Sequence, residues 1–205
     1  MHKIICLILF ITTTLHAQTK MSIAEINALK EKVKTHAIET KTISSDFTQY
    51  KHLDFLSNDI ITTGKLAFKT PNMVKWEYIK PFKYSVIFKN ETLYINDEGN
   101  KNKIDIGASE QFKKLNHLIV SSLKGDMFDD NEFVINYYKK QGNSEVHFGS
   151  KDKKFKKYIK VFYITFDSDG DVIEIKIIEP SNDYTRIVFS NRILNSSLPD
   201  EVFTH

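Results

Sequence analysis

The sequence predicts a mainly antiparallel β fold with helices, an α+β architecture in which a strongly curved sheet or unclosed β-barrel is covered by a helical lid. Three observations carry that prediction. Apolar and polar residues alternate with period two in segment after segment from Ile43 onward, the spacing of strands with one dry and one wet face. Two other segments shift to helical spacing. The links between the alternating segments are short, which suits antiparallel neighbours, and a sheet of about ten twisted strands tends to curl.

The 205-residue chain opens MHKIICLILFITTTLHAQ, with a lone positive charge at Lys3, an apolar run from Ile4 to Ile11 and the small residue Ala17 ahead of Gln18. That order predicts a secretory signal peptide over residues 1–17, cleaved after Ala17, leaving residues 18–205 as a single domain. The run is too short for a spanning helix, which needs about 20 residues. Cys6, the chain's one cysteine, falls inside the signal. The mature chain therefore carries no disulfide framework, thiol nucleophile or thiolate metal site, and export without cysteines points to a periplasm.

SIAEINALKEKVKTHAIE starts with Ser22 three residues before Glu25, a capping-box pattern, and continues with Ile23, Ile26, Leu29 and Val33 at near-helical spacing. It predicts an amphipathic helix. Strands follow in SDFTQYKHL, DIITTGKLAFKT, MVKWEYI, KYSVIFK and ETLYIND. Pro71 and Pro81 flank MVKWEYI and mark its ends, because proline has no amide to give to a ladder. Val74, Trp76 and Tyr78 share its dry face, and Trp76 is the only tryptophan. In GASEQFKKLNHLIVSSLKG, the residues Phe112, Leu115, Leu118, Ile119 and Leu123 recur on one stripe ahead of Gly125, predicting a second amphipathic helix. The sheet resumes with EFVINYYKK, SEVHFGS, KYIKVFYITFD, DVIEIKIIEP and DYTRIVFSNRIL, with Asp169 and Gly170 as a two-residue turn.

Charge and motifs exclude several functions. The formal net charge is +3, or +2 once Lys3 is removed, and the densest basic run, Lys151 to Lys160, reads as a solvated loop guarding a strand, so no nucleic-acid partner is expected. His36, His52, His117, His147 and His205 lack metal-ligand spacing and read as surface or edge residues. The acidic alternation Asp167, Asp169, Asp171 lacks the glycine at position six and glutamate at position twelve of a calcium loop. There is no P-loop, nucleophile elbow or zinc-protease motif. Ser121 and His117 have no evident orienting partner. The chain is expected to be a monomer without cofactor, metal or catalytic residues.

The strands from about residue 44 to 97 resemble the periplasmic lipoprotein carrier family, LolA. The pattern is a Phe-Thr-Gln strand (Phe47, Thr48, Gln49), a Gly-x-Leu strand (Gly64, Leu66), a Pro-Asn pair leading into a tryptophan strand (Pro71, Asn72, Trp76) and a further proline (Pro81). DYTRIVFSNRILNSSLPDEVF resembles the family's closing strands more loosely. The resemblance implies an unclosed barrel with a helical lid around an apolar cavity for lipoprotein acyl chains. The implied route runs from an inner-membrane ABC transporter toward an outer-membrane acceptor. It assigns the cavity to Phe47, Leu66, Phe68, Val74, Trp76, Tyr78, Val86 and Phe88, and the lid to Phe112, Leu115, Leu118, Ile119 and Leu123. Family members commonly carry an arginine latch directly before the Pro-Asn pair, where this chain has Thr70. That departure leaves open a carrier of another lipid or amphiphile, or a periplasmic sensor module on the same scaffold.

Overall fold

A computed structural model describes residues 18–89, 91–105 and 125–204. Among them twelve strands form one sheet in the order β1-β8-β9-β10-β11-β12-β2-β3-β4-β5-β6-β7. The elements are β1 (Thr19–Lys20), α1 (Ile23–Glu39), β2 (Thr42–His52), β3 (Ile60–Lys69), β4 (Met73–Lys80), β5 (Tyr84–Lys89), β6 (Thr92–Asp97), β7 (Asn100–Asp105), β8 (Phe133–Lys140), β9 (Asn143–Ser150), β10 (Val161–Phe166), β11 (Val172–Ile178) and β12 (Tyr184–Leu194). Every pairing is antiparallel, and the edge strands β1 and β7 do not pair with each other, so the sheet stays unclosed. Two meanders, β2 to β7 and β8 to β12, meet where β12 lies along β2, from Tyr184↔His52 to Leu194↔Ile43.

The predicted α+β architecture holds, with differences at particular elements. Two strands appear that the alternation did not reveal. One is β1, where Gln18 ties its side chain to Glu145 at 2.7 Å. The other is β7, a polar edge strand whose Ile104 alone packs toward the core. KYIKVFYITFD becomes strand only at Val161, because a 3₁₀ turn occupies Phe155–Lys157. The turn after β10 is longer than Asp169-Gly170. Asp167 donates its amide to the Asp171 carbonyl at 3.0 Å, and its carboxylate accepts from the amides of Asp169 and Asp171. β4 does lie between Pro71 and Pro81.

α1 begins as its capping box requires: the Ser22 side chain accepts from the Glu25 amide, and the Glu25 carboxylate accepts from the Ser22 amide at 2.8 Å. Leu29 and Val33 are buried, but Ile23 is 78% exposed and leaves the predicted dry stripe. Ile23 sits in the first turn, before the helix reaches the sheet. Its burying face, Ile26, Leu29 and Val33, packs on β8 to β11 through Phe133, Tyr137, Val146, Phe148, Phe162, Ile164 and Phe166. Phe148 and Phe162 stack at 4.8 Å with planes 2° apart.

Gly125 shows how closely the chain then passes α1. Its φ is +73°, and a Cβ there would lie 2.8 Å from the Lys34 Cα. The predicted second helix ahead of it, with Phe112, Leu115, Leu118, Ile119 and Leu123, lies outside the described residues. So does the predicted signal peptide, residues 1–17.

Candidate functional site: an apolar hollow under the end of the helix

α1 packs mainly on the β8 to β11 part of the sheet. Along β3 to β6 the inward residues align into rows across the strands. Leu66 faces Trp76, Trp76 faces Val86 and Val86 faces Ile95; one row over, Phe68 faces Val74, Val74 faces Phe88 and Phe88 faces Leu93. Period-two alternation aims all of these side chains to the same side.

The eight residues assigned to the cavity, Phe47, Leu66, Phe68, Val74, Trp76, Tyr78, Val86 and Phe88, sit together in this one cluster. Their roles differ with depth. Phe47, Phe68 and Val74 are 0–1% exposed and form the floor, whereas Trp76, Tyr78 and Val86 remain half-buried and offer surface above it.

The floor depends on a missing side chain. Phe47 lies over Gly64, where a Cβ would fall 2.5 Å from the Phe47 ring and 2.2 Å from the Glu77 carbonyl oxygen. The pairing of β3 with β4 shifts at Thr63/Gly64, bending the strand at that point. Seated there, the Phe47 ring meets Trp76 edge-on at 5.0 Å and Tyr78 edge-on at 5.2 Å, and Trp76 in turn lies 5.9 Å from Phe189. Tyr78 donates its hydroxyl to the Gln49 side-chain oxygen at 3.1 Å. Burial holds the Tyr78 phenol above its ordinary pKa, so it stays a neutral donor.

A cavity of about 90 Å³ opens where this cluster passes under the C-terminal half of α1. Its walls are Val33, Ala37, Ile43, Leu66, Val74, Trp76, Val172, Ile175 and Phe189, and its polar residues are His36, Thr40, Ser45, Asp171 and Arg192. Of the predicted cavity residues, Leu66, Val74 and Trp76 border it directly. His36, expected at the surface, lines it instead and points Nδ1 at Asp171 Oδ1 across 3.2 Å. Asp171 also lies 2.8 Å from Arg192 Nη1.

The residues missed from sequence come from α1, the β10–β11 turn and β12, each far along the chain from the tryptophan strand. A faint signal was available for Arg192. The inward residues of β12 run Ile187, Phe189 and then Leu194, a change of parity that requires an extra residue between them.

The latch position tells a different story. Thr70 is exposed and gives its amide to the Lys41 carbonyl at 2.9 Å. The neighbouring Lys69 reaches the Leu198 carbonyl at 2.7 Å and Asp200 at 2.6 Å, tying down the C-terminal turn Asp200–Phe203. Phe203 is buried there.

Among the described residues no cluster of His, Cys, Asp or Glu could hold a metal ion, and no helix is long and apolar enough to cross a membrane. The tightest polar cluster lies on β8 to β10, where Glu145 accepts from Gln18, Lys140 and His147. Burial raises the Glu145 pKa, but the hydrogen bonds from His147 and Lys140 outweigh it and leave the carboxyl below its ordinary value.

An unclosed antiparallel sheet with a helix packed on it and an apolar hollow between them is a lipoprotein carrier-type fold. The chain belongs to the family described as outer membrane lipoprotein carrier protein LolA, whose pattern matches residues 39–205. It is 25% identical over 164 residues to the outer-membrane lipoprotein carrier protein of Chromobacterium violaceum, covering 80% of this chain and 76% of that one. Among solved structures it is similar to the Pseudomonas aeruginosa MucA/MucB complex, with a TM-score of 0.51 and 7% identity. That match covers 88% of this chain and 61% of the other, so this chain spans less than two thirds of that relative's length. It is also similar to the LolA superfamily protein NE2245 from Nitrosomonas europaea, with a TM-score of 0.45, 8% identity, and 87% and 97% of the two chains covered.

Proposed function

We propose that this protein is a non-enzymatic periplasmic carrier that shields the acyl chains of lipoproteins between the inner and outer membranes. The observation that carries the reading is the apolar hollow under α1, bordered by Leu66, Val74, Trp76 and Phe189 and backed by the packed rings of Phe47 and Phe68, in a chain of the carrier family. Burying each acyl methylene is worth about 0.8 kcal/mol, so a long chain left in water costs on the order of 10 kcal/mol. Only an enclosed apolar site compensates for that.

The 90 Å³ cavity is smaller than the roughly 300 Å³ of the smallest usual ligand pockets. Cargo of that size enters as α1 and the half-buried rings yield. The donor of the cargo is an inner-membrane ABC transporter of the lipoprotein-sorting type, and its destination an outer-membrane acceptor. Export follows the N-terminal leader, with cleavage near Ala17.

The test is native mass spectrometry of the protein isolated from the periplasm. Copurified acylated polypeptide or lipid is expected, and a protein that repeatedly emerges empty and also takes up no acylated ligand in vitro would overturn the proposal. A second reading, a periplasmic module that binds a partner protein, is favoured by one likeness. The MucB relative was solved in complex with MucA, and its fold is shared here. In that case a stoichiometric protein partner, not lipid, accompanies the chain.

A further inference from the structure

At the polar end of the hollow, two donors of Arg192 have no hydrogen-bond partner among the described residues. Between Ser190↔Asp46 and Ile193↔Ser44 the register of β12 on β2 slips, so that Asn191 and Arg192 face the single residue Ser45. The bulge is built from local chemistry. Asn191 takes φ +51°, a left-handed conformation asparagine tolerates, and its side-chain amide donates to Asp46 Oδ2 at 2.8 Å, while the Ser45 hydroxyl donates to the Ser190 carbonyl at 2.8 Å. Its effect is to carry Arg192 from the wet face to the cavity wall, as bulges beside binding sites do.

The hydroxyls of the cavity are engaged by the main chain. Thr40 donates to the His36 carbonyl at 2.7 Å, and Ser45 is held as above. Arg192 differs. Its Nη1 lies at ion-pair distance from Asp171, yet neither Nη1 nor Nε, both screened from solvent, makes a hydrogen bond of acceptable geometry among the described residues. Buried guanidinium donors left unmade are costly, and sites where they persist call for an acceptor.

Which acceptor follows from charge. Asp171 already sits against both Arg192 and His36. The cavity also abuts Thr40, the C-cap of α1, where the helix dipole is negative. A free carboxylate or phosphate would meet both of these negative charges. A neutral carbonyl oxygen takes the same donors without that repulsion.

We propose that Arg192 is a recognition residue for the ester or amide carbonyl of an acyl group whose hydrocarbon tail lies against Trp76, Leu66 and Phe189. The proposal rests on the carrier reading and sharpens it: the site selects acylated molecules over free fatty acids.

The test compares three ligands with matched tails, methyl decanoate, decyl methyl ether and decanoate at pH 8, by displacement of a solvatochromic probe from the delipidated full chain. Methyl decanoate is expected to bind about tenfold more tightly than the ether, the usual benefit of a charged donor, and more tightly than decanoate. In the Arg192→Met/Asp171→Asn protein, which removes both charges together, the ratio of ester to ether affinity should fall to within about twofold. Arg192→Lys, which keeps the charge but loses the Nε and Nη1 donors, gives the same reading if the double variant does not fold: a reduced ratio of ester to ether affinity. Equal binding of ester and ether by the wild type, a preference that survives the variants, or decanoate binding most tightly would each overturn the proposal while leaving the carrier reading intact. If none of the three ligands displaces the probe, the carrier reading fails and this one with it.

Discussion

Gly64→Ala tests the aromatic floor with a single methyl group. Gly64 has no positive φ, so the cost is not backbone strain but space: the new Cβ would meet the Glu77 carbonyl oxygen at 2.2 Å and the Phe47 ring at 2.5 Å. The carbonyl belongs to β4, so relieving its contact disturbs the β3–β4 ladder, and the Phe47 ring must move as well. Overpacking of this kind costs about 1–3 kcal/mol. Displacing Phe47 also loosens its edge-on contacts with Trp76 and Tyr78, each worth about 0.5–1.5 kcal/mol. A loss of roughly 2–6 kcal/mol in a domain of this size lowers Tm by about 4–24 °C, at about 2–4 °C per kcal/mol. Thermal unfolding followed by circular dichroism reads the stability, and the emission of the lone tryptophan reads the ring. The variant should melt well below the wild type and shift Trp76 emission, because the ring that packs against the indole has moved. A Gly64→Ala protein that melts within about 1 °C of wild type with unchanged emission would refute the argument that this floor requires a glycine.

Other consequences are equally direct. A solvatochromic lipid probe should bind saturably and shift or quench Trp76 emission, since Trp76 borders the hollow; saturable binding with a silent tryptophan would put the ligand elsewhere. Leu29→Ala should cost about 2–5 kcal/mol in urea unfolding, because Leu29 is buried in the contact of α1 with β8 to β11. Ile23→Ala, on the exposed first turn, should stay within about 0.5 kcal/mol, and equal losses at the two sites would contradict the placement of α1. Glu25 has its pKa lowered from 4.5 to about 2 by the hydrogen bonds from Lys139 and from the Ser22 amide. Protonation therefore favours the unfolded chain: the contribution is complete above pH 4.5 and is lost as the pH falls toward about 2. Urea unfolding across that range should show a shallower acid slope in Glu25→Gln than in wild type, and superimposable slopes would count against the capping box as an electrostatic clasp.

Much of the scaffold was legible in the sequence because it is set by near neighbours. Alternation along MVKWEYI puts Val74, Trp76 and Tyr78 on one face whatever the rest of the chain does, and Ser22 with Glu25 starts a helix from within a single turn. The eight aromatic and aliphatic residues assigned to the hollow converge for the same reason: each strand's period is local, and short antiparallel links bring the dry faces into register. What the tertiary structure alone decided is everything that depends on which strand lies beside which. The seam of β12 on β2 joins residues more than a hundred positions apart, and only there does one extra residue at Asn191 reverse the parity of the strand and turn Arg192 inward. His36 looked like a surface residue on a helix because nothing nearby in sequence announces Asp171, 135 positions away. Ile23 looked like core because the helical period does not say where the helix first meets the sheet. Periodicity fixes the direction of a side chain relative to its own element; register and bulges, settled only when distant strands pair, determine what that side chain meets.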